Sequence, residues 1–385
     1  MKIVIAPDSF KESMSAMEAA CAIEKGFQKV MPDAEYVKVP MADGGEGTVR
    51  SMVDATGGEI RKETVTGPLG TEVEAFYGIT GDRKMAVIEM AAASGIHLVP
   101  KEKRNPLVTT TKGTGELIRA ALDQGVKRIV IGIGGSATND GGAGMAQALG
   151  AKLLDKDGNP LGFGGGELSK LDSIDLSQLD PRLKEVHIEV ACDVDHPLTG
   201  ERGASAVFGP QKGATPEMVA ILDANLARYA QVVKETLGID VDPIPGAGAA
   251  GGLGAGLVAF LGTSLKRGVD VVAEAVQLDK HMVQASLVIT GEGKIDGQTI
   301  HGKTPVGVAK RAKKYGIPVI GIAGMLGENC DAVYRHGIDA LFSIVPGTVS
   351  LETALLNGEK YTEQLAGNLA RLIRLKQMVD GTGAD

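Results

Sequence analysis

The sequence predicts an α/β fold of two domains in which most strands are parallel. Short β-branched runs alternate with segments of helical periodicity, and this rhythm is alike at the two ends of the chain. The length of 385 residues is enough for two separate cores. Aromatic residues make up 3% of the chain and tryptophan is absent, so both cores must be aliphatic.

The two chain ends predict similar series of elements. The N-terminal end begins with a strand over Lys2–Ala6, followed by a helix over 15–30 and a strand over 35–40. The C-terminal end is expected to contain a strand over 286–290, a helix over 304–316, a strand over 318–324, a short helix over 330–337, a strand over 340–345 and a final helix from Leu351.

The middle of the chain has a different rhythm. Residues 63–80 predict a β-hairpin around TGPLG, and further strands are expected at 128–135 and 188–192. Residues 162–184 are expected to form a long loop region. One helix start is well marked, with Thr215 as the N-cap, Pro216 at the first helical position and an apolar stripe that follows.

Composition excludes several classes of function. The net charge is −8, and KRAKK (310–314) is typical of a solvated helix face, so we expect no nucleic-acid partner. The longest apolar stretch, 256–262, is too short to span a membrane, and no signal peptide precedes the first strand. We therefore expect a cytoplasmic protein. Three widely spaced cysteines and six scattered histidines predict neither a disulfide framework nor a zinc site.

Three glycine-rich segments match nucleotide-binding patterns, but the patterns belong to incompatible folds. GAGAAG (246–251) matches a dinucleotide fingerprint, yet Pro243 and Pro245 break the strand that should precede it. GIGGSA (132–137) follows a strand, but Asn139 and Asp140 interrupt where the helix of a dinucleotide-binding fold should already run. Because the chain has 54 glycines, chance matches are common. We interpret the first segment as a turn and the second as a polar loop that grips a small ligand.

The third match, GQTIHGKT (297–304), has the spelling of a phosphate-binding P-loop. A true P-loop starts where its strand ends, whereas this strand is expected to end near Thr290, six residues before Gly297. The strands that follow also lack an acidic residue for magnesium. The sequence therefore predicts that this segment matches the P-loop pattern but does not form a P-loop. Lys303, at a helix start, can still bind an anion.

Polar residues follow five of the expected strands. They are Asp8, Asp43, the pair Asn139 and Asp140, Asp193 and Glu292. In open α/β sheets, ligands collect at the carboxyl ends of the strands, so these positions predict a carboxylate-rich cleft. For any single one of these positions, a turn former after a strand is the favoured interpretation. Their recurrence favours a functional site.

Long blocks in a fixed order give the chain a resemblance to the type-1 glycerate kinases, essentially from end to end. The blocks that carry it are APDSFKES (6–13), ADGGEGT (42–48), TGPLG (66–70), EMAAASG (89–95), TKGTGELI (111–118), GIGGSATNDGGAGMAQALGA (132–151), ACDVDHPLTG (191–200), FGPQKGA (208–214), PGAGAAGGLGAG (245–256) and ITGEGKIDGQTIHGKTPVGVA (289–309).

This resemblance implies an ATP-dependent, Mg2+-dependent kinase that phosphorylates D-glycerate, with 2-phosphoglycerate favoured over 3-phosphoglycerate. It also implies a flavodoxin-like parallel-sheet domain built from both chain ends, residues 1–60 plus 285–385. Residues 61–284 would form an inserted α/β domain with a mixed sheet, and the active site would lie in the cleft between the two. A homodimer is compatible with this reading.

Site roles are assigned from the chemistry of phosphoryl transfer, which needs metal ligands, cations, a base and substrate anchors. Glu292 and Asp296 are expected to hold magnesium, with Asp43 in reserve. Asp193 is the expected general base, because an acid that follows an apolar run should hold its proton more tightly. Lys11 and Lys303 are expected to assist catalysis by pairing with phosphate or carboxylate. The remaining binding residues are expected to be Asp8, Ser9, Asp43, Gly44, Gly45, Glu46, Ser136, Thr138, Asn139, Asp140, Lys212 and Lys294.

Two other functions fit part of the pattern. A nicotinamide-dependent hydroxy-acid dehydrogenase would use the same substrate class and the GIGGSA segment, but the fingerprint is incomplete. A non-catalytic protein that binds small acids would need fewer carboxylates than the five strand ends supply.

Overall fold

The structure is a computed structural model, and it describes residues 1–379, with the side chain of Gln377 excepted. The chain divides into two compact units. Unit 1 consists of Met1–Asp43, Asp54–Thr56 and the chain from Val272 onward, and unit 2 consists of Gly44–Val53 and Gly57–Val271.

Thirteen strands and thirteen helices are assigned among residues 1–379. The strands are β1 (Lys2–Ile5), β2 (Glu35–Lys38), β3 (Glu59–Thr66), β4 (Glu72–Ile79), β5 (Met85–Glu89), β6 (Arg128–Gly132), β7 (Lys152–Leu154), β8 (Ser173–Asp175), β9 (His187–Ala191), β10 (Leu265–Lys266), β11 (Leu287–Ile295), β12 (Val319–Leu326) and β13 (Ala340–Ser343). The helices are α1 (Ala16–Gln28), α2 (Thr48–Thr56), α3 (Ala91–Ser94), α4 (Lys112–Asp123), α5 (Ala143–Ala148), α6 (Ala204–Phe208), α7 (Pro216–Leu237), α8 (Ala249–Leu261), α9 (Gly268–Ala275), α10 (Leu278–Met282), α11 (Thr304–Lys313), α12 (Leu351–Leu356) and α13 (Gly358–Val379).

Unit 1 contains a five-stranded parallel sheet in the order β2-β1-β11-β12-β13. Both chain ends contribute to it, since Ile3 of β1 lies opposite Leu287 of β11. Counted along unit 1, the order is 2-1-3-4-5, the flavodoxin-like arrangement, and it confirms the predicted fold class. The strand order reverses between β1 and β11, so this is the topological switch point of the sheet.

Strand β11 is longer than the sequence analysis expected. It was predicted to end near Thr290 but continues to Ile295. Gly291 does not end the strand, because its missing side chain lets β12 approach; a Cβ there would lie 2.3 Å from the carbonyl oxygen of Ile322. The segment GQTIHGKT therefore begins much closer to the end of its strand than the prediction assumed.

Unit 2 contains a six-stranded mixed sheet in the order β10-β9-β6-β5-β4-β3. The pairs β3–β4 and β4–β5 are antiparallel, and the other three pairs are parallel. The mixed sheet and the hairpin over 63–80 are thus confirmed. The expected long loop over 162–184 is partly wrong, because it contains β8, which pairs with β7 in a separate two-stranded sheet.

Local signals fix several helix ends. The hydroxyl of Thr215 accepts a hydrogen bond from the Met218 amide at 3.3 Å, so the predicted start of α7 is confirmed. Ser15 and Glu18 form a capping box at the start of α1. No helix among residues 1–379 has the length and apolar character needed to span a membrane.

Candidate active site

A pocket of about 360 Å³ lies at the carboxyl edge of the unit 1 sheet. It adjoins the switch point between β1 and β11, where ligands of such sheets characteristically bind. Its polar lining consists of Asp8, Ser9, Lys11, Ser13, Asp43, Glu292, Lys294 and Lys303. Its apolar lining includes Phe10, Met325, Ile344, Val345, Leu351, Ala354 and Leu355.

Asp8 lies at the end of β1 and is held by three donors. The backbone amide of Ser9 donates to its Oδ1 atom at 2.6 Å, and the Ser9 hydroxyl does so at 3.3 Å. The hydroxyl of Thr304 donates to its Oδ2 atom at 2.5 Å. Burial and the nearby charge of Asp43 raise the pKa of Asp8, while these hydrogen bonds and Lys11 oppose that rise.

Glu292 lies within β11, next to the same switch point. Its Oε1 atom accepts a hydrogen bond from the Thr299 hydroxyl at 2.9 Å. Burial raises the pKa of Glu292 to about 7, and the charges of Asp8 and Asp43 add to the rise. We call Asp8, Asp43 and Glu292 the carboxylate cluster. The negative charge of Asp43 raises the pKa of both Asp8 and Glu292, and this repulsion means that the cluster favours a bound cation.

Two lysines face the carboxylate cluster from different elements. Lys11 lies on a tight turn closed by reciprocal backbone hydrogen bonds between Phe10 and Met14. Lys303 is the N-cap residue of α11, and its Nζ atom lies 3.8 Å from Oε1 of Glu292. The positive charge of Lys11 acts on Asp8 and that of Lys303 acts on Glu292. Both lysines line the pocket. Their pairing with phosphate or carboxylate stays a prediction.

The chemistry of the carboxylate cluster fits a magnesium ion better than a fully protein-ligated metal. No group of three or more His, Cys, Asp or Glu residues suited to a metal is found among residues 1–379. Magnesium, however, takes one or two carboxylates and completes its shell with phosphate oxygens and water. Asp296 is engaged by other residues in the structure. Its carboxylate pairs with Lys294 at 2.8 Å and accepts a hydrogen bond from the Gln298 amide at 2.9 Å. Its role as a magnesium ligand stays a prediction.

The first three amides of GQTIHGKT are engaged within the protein. The Gly297 amide donates to the Glu328 carbonyl oxygen, the Gln298 amide to the Asp296 side chain and the Thr299 amide to the Asp296 carbonyl oxygen. A P-loop instead points successive amides at phosphate. The geometry therefore supports the prediction that this segment is a P-loop in spelling alone.

In unit 2, Asp140 is fully buried and its carboxylate is used inside the unit. It accepts hydrogen bonds from the amide and hydroxyl of Thr111 at 2.8 and 2.9 Å, and from the amides of Gly142 and Gly144 at 3.1 and 3.3 Å. Burial raises the pKa of Asp140 against these bonds. Asp140 thus ties the loop before α5 to the start of α4, a structural role that the sequence analysis did not anticipate.

Lys212 is also buried, which no sequence pattern indicated for a lysine. Its Nζ atom donates to the carbonyl oxygen of Thr138 at 2.6 Å, and burial lowers the pKa of Lys212 to about 7. Asn139 donates to the Ser205 hydroxyl at 3.0 Å. Thr138, Asn139 and Ser136 are buried as well. Among residues 1–379, the buried Oγ1 atom of Thr138 and the buried Oδ1 atom of Asn139 have no hydrogen-bond partner. Contact of these residues with a substrate stays a prediction.

The remaining predicted residues lie at the carboxyl edge of the unit 2 sheet. Asp193 follows β9, is exposed and accepts a hydrogen bond from the Gly268 amide at 2.8 Å. The sequence analysis expected Asp193 to hold its proton tightly because it follows an apolar run. That argument required a buried carboxylate, and Asp193 is exposed. The loop that carries Gly44, Gly45 and Glu46 begins against the end of β9, where a Cβ on Gly44 would lie 2.4 Å from that of Ala191.

Sequence reasoning missed Thr304 and the apolar part of the pocket. Thr304 is the final residue of the P-loop-like segment, and the sequence analysis gave it no role. Its hydrogen bond to Asp8 joins residues that are 296 positions apart, so no local pattern could indicate it. Apart from Phe10, the apolar residues come from β12 and from the region of β13 and α12, and nothing local marks them as pocket residues rather than core.

The model of the glycerate kinase family matches residues 3–374. The chain belongs to the glycerate kinase family. It is 62% identical to the glycerate kinase of Bacillus subtilis, with 97% of this chain and 98% of the relative covered. It is 62% identical to the glycerate 2-kinase of Escherichia coli, with 92% and 93% covered. The crystal structure of a protein designated glycerate kinase 2 from Salmonella typhimurium LT2 has a TM-score of 0.92 at 58% identity, covering 98% of this chain and 99% of that one.

Membership of this family makes the protein an enzyme of the phosphotransferase class. The resemblance stated from the sequence blocks is thereby confirmed. The family match gives no support to a dehydrogenase or to a non-catalytic binding protein.

Proposed function

We propose that this enzyme transfers the γ-phosphoryl group of ATP to the 2-hydroxyl of D-glycerate in a Mg2+-dependent reaction. The observation that carries the proposal is the pocket at the switch point of the unit 1 sheet, where three carboxylates face two lysines. Phosphoryl transfer depends on positioning and on neutralising phosphate charge, which this combination can supply. The 2-hydroxyl is chosen because the E. coli relative is named a glycerate 2-kinase.

Glu292 with Asp43 or Asp8 would hold the magnesium ion. The ion would neutralise charge on the phosphate oxygens during transfer. Lys303 and Lys11 would pair with the phosphates, since each already acts on a carboxylate of the cluster. Ser9 adds a hydroxyl at the same edge of the sheet.

The reaction forms a bond between the 2-oxygen of glycerate and the γ-phosphorus, and breaks the bond from that phosphorus to ADP. The hydroxyl proton passes to a base. Asp193 stays our candidate, because it is an exposed carboxylate at the carboxyl edge of its sheet. Asp8 is the alternative, since its raised pKa favours accepting a proton near neutral pH.

The test is to incubate the purified protein with ATP, Mg2+ and D-glycerate and to identify the product by phosphorus NMR. We expect 2-phosphoglycerate and ADP, and no product when the metal is chelated or when L-glycerate replaces the D-isomer. Formation of 3-phosphoglycerate would overturn the assigned position. Absence of any phosphoglycerate would overturn the proposed reaction. A cytoplasmic location and a homodimer stay predictions.

A further inference from the structure

The pocket of unit 1 has two chemically different ends. We define the charged end as Asp8, Lys11, Asp43, Glu292, Lys294 and Lys303, and the apolar end as Met325, Ile344, Val345, Leu351, Ala354 and Leu355. The proposed phosphoryl transfer uses the charged end and leaves the apolar end without a role.

The two ends of the pocket lie over different strands of the unit 1 sheet. The charged end lies mainly at β1 and β11, in the middle of the sheet. The apolar end extends from α12, which lies against the turn after β1, to β12 and to the chain just after β13. Neighbouring strands are about 4.8 Å apart, so β1 and β13 are separated by three spacings, or about 14 Å. A ligand that used both ends would be elongated, with an anionic part at one end and an apolar part at the other.

The apolar end presents large side chains to solvent. Leu351 is 74% exposed and Met325 is 56% exposed. Exposed apolar side chains that line a concave pocket mark a surface that a ligand covers. Deeper in the same end, Ile344 is buried, which gives the pocket an apolar floor.

A hydrogen bond connects the elements that carry the two ends of the pocket. The hydroxyl of Ser13 donates to the carbonyl oxygen of Leu355 at 2.7 Å, which ties α12 to the turn that carries Lys11. Gly358 permits this contact, because a Cβ there would lie 2.1 Å from the Ser13 hydroxyl. Helix α12 is further fixed at its start by Ser350, whose hydroxyl accepts from the Thr353 amide at 3.2 Å.

We infer that the apolar end binds the purine base of the phosphate donor, with the polyphosphate chain extending toward Lys11 and Lys303. This inference rests on the proposed function in that the donor is a nucleoside triphosphate. D-glycerate does not fit this end, because a three-carbon hydroxy acid has only one CH and one CH2 group and cannot cover several large apolar side chains. A purine is a flat, largely apolar ring system, and burying it against Leu351 and Met325 removes apolar area from water.

The test compares two leucines of the same short helix. Leu351 lines the pocket, whereas Leu356 is not among its lining residues, and the two are 74% and 79% exposed. We would prepare Leu351→Gln and, as the matched control, Leu356→Gln. Both exchanges are uncharged, so neither perturbs phosphate binding electrostatically, and both occur at exposed positions that tolerate a polar side chain.

Isothermal calorimetry with ADP and with inorganic tripolyphosphate gives the decisive readout. We expect Leu351→Gln to weaken ADP binding about five- to tenfold, through lost apolar contact, and to leave tripolyphosphate binding within twofold of wild type. Leu356→Gln should bind both probes like wild type. Ala354→Phe, which fills the apolar end, should weaken ADP binding more strongly and also spare tripolyphosphate.

Equal ADP affinities in Leu351→Gln and Leu356→Gln, or an equal loss of both probes in Leu351→Gln, would overturn the inference. These measurements need no turnover, so they remain decisive even if the wild-type enzyme forms no phosphoglycerate and the proposed reaction fails. Where turnover is present, the KM for ATP should rise in Leu351→Gln while the KM for D-glycerate stays within twofold. A rise confined to D-glycerate would assign the apolar end to the acceptor and contradict us.

Discussion

The hydroxyl of Thr304 donates a 2.5 Å hydrogen bond to Oδ2 of Asp8, joining the first residue of α11 to the end of β1. Both groups are buried, so the carboxylate depends on this donor. The bond also opposes the rise in the pKa of Asp8 that burial and Asp43 cause.

Thr304→Val keeps the side-chain shape but removes this donor. We expect the free energy of unfolding at pH 8 to fall by about 1–3 kcal/mol, because a buried carboxylate loses a hydrogen-bond partner. Urea unfolding of the metal-free protein measures the change. Thr304→Ser retains a hydroxyl and should recover most of the loss. A valine variant as stable as wild type would mean that the bond contributes nothing to stability.

Glu292→Gln should change the pH dependence of stability. Because burial raises the pKa of Glu292 to about 7, the folded protein binds more protons there than the unfolded chain, whose carboxyl titrates near 4.5. The stability from this group is fully present below the unfolded pKa and is lost as pH rises through about 7. Glutamine does not titrate, so its contribution to the free energy of unfolding does not change with pH. We therefore expect the variant to be more stable than wild type by about 3 kcal/mol at pH 8, with little difference at pH 4.

Thermal unfolding in a chelating buffer at the two pH values checks this prediction. Glu352→Gln, an exposed exchange on α12, serves as the control and should show no such pH-dependent difference. A lower Tm for Glu292→Gln than for wild type at pH 8 would contradict the argument from burial.

Lys303→Ala and Gly297→Ala separate a lysine that binds an anion from a true P-loop. We expect Lys303→Ala to lower kcat/KM by about 10- to 150-fold, the kinetic equivalent of losing a charge-assisted contact worth about 1.5–3 kcal/mol. Gly297 has no left-handed backbone, and a Cβ there would lie 3.2 Å from the Cβ of Asn329, a contact that a small shift relieves. Gly297→Ala should therefore cost less than threefold. Comparable, near-total loss in both variants would restore the P-loop interpretation.

Asp193→Asn tests the candidate base. If Asp193 accepts the hydroxyl proton, kcat should fall by about 10²- to 10⁴-fold while ADP binding stays unchanged. Asp195→Asn is the matched control, since Asp195 is a nearby exposed acid that pairs with Arg202 at 3.3 Å. Near-normal turnover in Asp193→Asn would exclude it as the base, and Asp8→Asn would then be expected to show the larger loss.

Much of the fold could be predicted from the sequence because it depends on local patterns. The apolar run of β1, the Thr215 cap of α7 and the hairpin of β3 and β4 each follow from periodicity or turn residues over a few positions. The end of β11 could not be predicted in this way. Glycine usually weakens a strand, and only the close approach of β12 at Gly291 shows why the strand continues.

The sequence by itself determined the fold class, the family and the positions of Asp8 and Asp43 after strands, because each depends on short or ordered patterns. It placed Glu292 after a strand as well, whereas the structure places Glu292 inside β11. Tertiary structure alone decided which of these residues act on one another, since proximity between Asp8 and Thr304 arises from strand order and not from spacing in the chain. Tertiary structure also decided which polar side chains are buried. Lys212 reads as a surface lysine in its loop, and only the packing of unit 2 encloses its ammonium group against the carbonyl oxygen of Thr138. Burial and charge proximity depend on distant segments, which no local pattern encodes.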